Sequence, residues 1–167
     1  MLLEYTENII QLAANLTALL LCLFQYIGSG RKGWIYATFV FLCTLMSSYY
    51  WTAYLLIMGT TPNVSNLFSY IGWNIAYFFL LILLLHMKSP EERRYFHPLM
   101  LLPIPLNIWQ LSLYLPYGGK LNSIYQVGVL TAVACFSLQG FCWYWENRVS
   151  GAKKPYVSAA CLLYVIA

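Results

Sequence analysis

Residues 33–87 form a run of 55 positions without a single Asp, Glu, Lys or Arg. A soluble domain carries about one charged residue in four. This chain has nine Lys and Arg and five Asp and Glu in 167 residues, with 61% apolar residues and a mean hydropathy of +0.65. Fourteen charged side chains cannot clothe a water-soluble surface of this size. A soluble enzyme, a nucleic-acid-binding module and a disordered tail are therefore excluded. The partner implied is the lipid bilayer, not nucleic acid.

The charges fall in clusters at Glu4 and Glu7, at Arg31 and Lys32, from Lys88 to Arg94, at Lys120, and from Glu146 to Lys154. A bilayer-spanning helix needs about 20 apolar residues. The charge-free stretches 8–30, 95–119 and 121–145 fit one span each. The long run 33–87 fits two, divided by the turn chemistry of Gly59-Thr60-Thr61-Pro62-Asn63. The expected architecture is all-α, a single polytopic transmembrane helix bundle over residues 1–167. Its complete spans lie near 9–27, 34–58, 67–87, 98–115 and 123–145. A sixth starts at Tyr156 and has 12 residues to Ala167, about 18 Å of helix against a hydrocarbon core of about 30 Å. This predicts a fragment of a longer protein, cut inside its sixth helix.

Lys and Arg number two, three and three in the first, third and fifth loops, against Lys120 alone on the other side. This bias predicts those three loops inside and the amino terminus outside, in a multi-pass protein of the plasma membrane. The segment before the first span has no basic residue, so that span is retained rather than cleaved as a signal peptide. Trp34, Tyr36, Trp143, Tyr144 and Trp145 mark inner boundaries, and Tyr114 and Tyr117 an outer one.

Local chemistry adds detail. In the third loop Ser89 is placed to cap a short surface helix, Pro90 suits its first position, and Glu92 completes a capping box. Arg93 and Arg94 can then reach lipid phosphates. His86 and His97 lack the spacing of a metal pair on one helix face, so no metal and no cofactor is expected. Pro98, Pro103 and Pro105 should bend or break the fourth span near Pro103–Pro105. Freed carbonyls beside Asn107 and Gln110 could make a polar pocket, a gating hinge or a satisfied kink. Gln11, Asn15, Asn74, Gln126 and Gln139 suit interhelical hydrogen bonds, and Gly72 with Ala76 and Gly128 with Ala132 suit close helix approach. The five cysteines read as apolar fillers, and Asn63-Val-Ser65 matches a glycosylation triplet. No Asp, Glu, Lys or Arg falls inside a predicted span, no buried lysine is expected, and no catalytic constellation is present.

Four short motifs, Ser48-Tyr-Tyr-Trp51, Tyr70-Ile-Gly-Trp-Asn74, Pro90-Glu-Glu-Arg-Arg-Tyr-Phe-His-Pro98 and Leu102-Pro-Ile-Pro-Leu-Asn107, combine with an outside amino terminus and short hairpins. Over residues 9–167 the chain resembles the amino-terminal multi-pass region of bacterial signalling proteins. The closer likeness is to the seven-helix sensor regions of histidine kinases and diguanylate cyclases of Gram-positive gut bacteria. That resemblance implies a sensory input region whose seventh helix and catalytic output domain lie outside this chain. The expected signal is a small molecule or a membrane state, and helix packing would allow a homodimer. Tyr49, Tyr50 and Trp51 with Trp73 and Asn74, on two antiparallel neighbours at similar depth, form either a ligand pocket or a tightly packed aromatic core. The expected moving part is the helix carrying Pro103 and Pro105. The competing expectation is a small transporter for a neutral solute, built on the broken fourth helix and midplane amides.

Overall fold

The computed structural model of the protein describes residues 2–62, 67–117, 119–148 and 154–166. Its helices are α1 (Leu2–Ser29), α2 (Lys32–Met58), α3 (Leu67–Met87), the short α4 (Pro90–Arg94), α5 (Pro103–Tyr114), α6 (Lys120–Asn147) and α7 (Tyr156–Ile166). Single 3-10 turns at Pro98–Leu101 and Leu115–Tyr117 flank α5. Among the described residues, four helical segments are long and apolar enough to cross a membrane: Tyr5–Ser29, Lys32–Met58, Tyr70–Met87 and Lys120–Asn147. The glycosylation triplet Asn63–Ser65 lies outside the described residues.

The expected divide in the long uncharged run is real. Gly59 closes α2 in the left-handed conformation (φ 67°) and donates its backbone N–H to Leu55 O at 3.0 Å. Only glycine adopts that conformation without a side-chain penalty.

The helices pack in the order α1, α2, α3, α6, with α5 on the far side of α6 and α7 against α3 and α6. The core is Val40 of α2, Ala76, Leu80 and Leu84 of α3, Val133 of α6 and Cys161 of α7. In lipid, apolar burial gives helices little reason to associate, so close contact and polar pairs hold them. Gly72 serves the first need: a Cβ there would lie 2.7 Å from Cys43 O and clash with Ser47 Oγ. The second expected small-residue site behaves differently, since nothing lies within 4 Å of a Cβ added at Gly128.

Two contacts fix the relative direction of α3 and α6. Asn74 pairs with Asn122 near their starts, and Lys88, just past α3, reaches Gln139 in the last third of α6. The two helices therefore run parallel. Residues 98–117 return the chain along α6 to its start.

The expected break near Pro103–Pro105 is present, though not as a kink within one helix. Pro103 and Pro105 sit in the first turn of α5, where backbone nitrogens lack helical acceptors anyway, so they start a helix instead of kinking one. The break falls at Leu102, between the 3-10 turn and α5. Asn107 is half-buried and Gln110 exposed.

Candidate functional site

The expectation that the bundle encloses no lysine fails at Lys88, whose side chain is 2% exposed. The local sequence explains why. α3 ends at Met87, and Ser89 at once caps α4 by accepting the Glu92 backbone N–H at 3.1 Å. Pro90 occupies the first helical position, as expected. That tight reversal brings Glu92 back over Lys88, with Nζ 3.1 Å from Oε1. The carboxylate of the capping box is thus engaged by Lys88. Arg93, though exposed, folds back onto the end of α3, donating Nη2–H to Leu85 O at 2.6 Å and satisfying a carbonyl there.

Helix α6 closes the pair from the other side. Gln139 accepts from Lys88 Nζ at 2.9 Å through Oε1 and donates Nε2–H to Tyr95 O at 2.5 Å. The Phe136 ring lies 5.9 Å from the ammonium. Gly140 makes room for this knot: a Cβ there would lie 2.9 Å from Glu92 Oε1 and clash with Ser158 Oγ of α7. One glycine of α6 thus lets α4 and α7 approach it closely.

Burial lowers the Lys88 pKa below the usual 10.5, and the attraction and hydrogen bond of Glu92 offset only part of that. Nearby, burial and the neighbouring Glu146 push the Tyr95 hydroxyl up to about 12. Above the pair opens a cleft of about 630 Å³, lined by Lys88, Glu91, Glu92, Trp143, Lys154, Tyr156 and Ser158 among others. An enclosed ion pair commonly costs more to desolvate than it returns, so apolar residues would hold the same helices at least as well. Ionisable groups enclosed by membrane helices mark functional sites by default.

The residues expected to form a pocket are only partly brought together. Trp51 and Trp73 meet with ring centroids 5.5 Å apart, and Tyr70 joins them at 6.0 and 5.7 Å. Tyr49 is exposed, and Tyr50 neighbours Tyr54 at 6.2 Å. Asn74 is buried and donates to Asn122 Oδ1, a partner that sequence reasoning did not single out. Tyr77 and Gln126 form a second hydrogen bond between the same helices. His86 packs edge-on against Tyr36, while His97 caps the 3-10 turn through Leu99 N–H and lies 3.9 Å from Glu146. The signal for Lys88 was present in the i, i+4 spacing to Glu92, though such spacing usually marks an exposed helix pair. Ser158 and Gly140 gave no signal, because only packing brings them together.

No family model matches the chain, and no curated protein or solved structure matches it either.

Proposed function

We propose that this region is the membrane-embedded sensory input of a bacterial signal-transduction protein, a histidine kinase by the sequence likeness, in the plasma membrane with its amino terminus outside. The observation that carries the reading is that the parallel pair α3–α6 is tied by polar contacts at both ends. Asn74 and Lys88 are fourteen positions apart, about 21 Å along a helix. A signal that alters the Asn74–Asn122 contact, beside the Trp51–Tyr70–Trp73 cluster, can shift α3 along α6 and disturb the Lys88–Glu92 knot at the other end. Such a shift needs a ligand or membrane state that contacts the two arrangements differently.

The parallel course of α3 and α6 supports residues 98–117 as a further crossing, which gives five complete spans. The outward face of α1, with Ile10, Leu21, Phe24 and Ile27 exposed, is available to lipid or to a second copy. One observation favours a transporter for a neutral solute instead: α5 begins abruptly after a 3-10 turn, as discontinuous transporter helices do.

Topology is tested by labelling. Cysteines at Thr60 and Lys120 should react from outside intact cells, and those at Ser29 and Glu91 only after permeabilisation. Labelling of Lys120→Cys solely from inside would remove the crossing by residues 98–117. For function, the full-length protein should carry a kinase or cyclase domain beyond a seventh helix, and Asn74→Ala should change its output at unchanged expression. A continuation of helices alone, with uptake of a neutral solute, would replace this reading by transport.

A further inference from the structure

We infer that the cleft over Lys88 and Glu92 binds a small zwitterionic group, one that pairs a phosphate or carboxylate with an ammonium. The inference holds whether the region senses or transports. It starts from the floor of the cleft. An ammonium has three donors, and Lys88 places two of them on Gln139 Oε1 and Glu92 Oε1. One donor remains on Lys88, and Glu92 keeps a second oxygen. The floor therefore offers one positive and one negative contact side by side, in a setting where desolvation strengthens both.

The rim repeats the pattern. Glu91 and Lys154 are exposed at its edge, and Lys154 Nζ lies 6.0 Å from the centre of the Tyr156 ring. Two lysines and two glutamates line the cleft, so its lining carries no net charge. A purely anionic ligand would meet two carboxylates, and a purely cationic one two ammoniums. A zwitterion meets complementary charge at both poles. Trp143 and Tyr156 add aromatic wall against which the carbon skeleton of the ligand can lie. A volume of about 630 Å³ suits a free small molecule and a lipid headgroup alike. A pair retained only to fasten helices would need no open cleft above it.

The test uses the whole chain in nanodiscs of phosphatidylglycerol, with thermal unfolding as the readout. Phosphoethanolamine is the soluble probe, and methyl phosphate and ethylamine are the single-charge controls. Phosphoethanolamine should raise the unfolding midpoint in a saturable way, and neither control should do so. Phosphatidylethanolamine added to the discs is a second arm. Stabilisation by the lipid alone assigns the site to a headgroup, and stabilisation by the soluble probe assigns it to a free zwitterion. Glu91→Gln and Lys154→Gln alter exposed side chains and should fold normally, each weakening the affinity about threefold. Lys88→Gln should weaken it about tenfold or more. The inference falls if methyl phosphate or ethylamine stabilises as well as the zwitterion. It also falls if neither zwitterion stabilises the protein, or if the rim variants bind as tightly as the unaltered chain.

Discussion

The two ends of the α3–α6 pair are fastened by opposite kinds of polar contact. At one end the neutral amides of Asn74 and Asn122 meet beside an aromatic cluster. At the other, Lys88 and Glu92 form an ion pair that Gln139 completes. Amides can be enclosed at modest cost, since neither partner carries a net charge to desolvate. The ion pair sits where α3 gives way to the charged loop, close to the polar boundary, and opens onto a cleft. The amide end is therefore inexpensive to enclose, whereas the charged end lines an open cleft.

The largest expected effect breaks the charged end unevenly. Glu92→Gln leaves the Lys88 ammonium enclosed without its counter-charge and should cost about 3 kcal/mol, read as a lowered unfolding midpoint. Lys88→Met combined with Glu92→Gln should recover most of that loss, because no charge is then stranded. Equal losses in the single and double variants would show that the pair contributes attraction, not merely balance.

At the other end, Gly72→Ala forces a methyl against Cys43 O and Ser47 and should cost about 1–3 kcal/mol. Gly128→Ala meets open space and should be neutral or slightly stabilising. Similar effects from the two would mean that α2 and α3 do not approach as closely as described. Asn74→Ala should cost less, about 1 kcal/mol, since membrane amide contacts are individually weak. A larger loss than that of Glu92→Gln would reverse the contrast between the two ends.

The smallest effect is in pH. Lys88 holds its proton less tightly folded than unfolded, so the unfolded chain binds more protons in the interval just below pH 10.5. Stability contributed at this site should then rise with pH through that interval. Tyr95, raised from 10 to about 12, acts in the opposite sense above pH 10. Subtracting the profile of Lys88→Met from that of the unaltered chain isolates the lysine. A difference that falls as pH rises toward 10.5 would mean that Glu92 outweighs burial.

Much of the helical plan was legible from where charges are missing. The stretches read at 34–58 and 67–87 correspond to Lys32–Met58 and Leu67–Met87, and that at 123–145 to Lys120–Asn147. Gly59 and the Ser89-Pro90 pair announced a stop and a start because caps are local chemistry. Proline breaks a helix interior, and Pro103 and Pro105 do mark a boundary, but their effect depends on register. In the first turn of α5 they remove donors that no helical carbonyl needs.

The amino-acid order by itself determined which segments are helical and apolar enough to lie in a bilayer, because hydropathy, charge and capping act within a few residues. Only the tertiary structure decided that α3 and α6 run parallel, that Asn74 finds Asn122, and that Lys88 is enclosed. Side chains 48 and 51 positions apart carry no mark of one another in the sequence. Their meeting depends on which helix faces pack, and in lipid that choice rests on a glycine contact and a few hydrogen bonds.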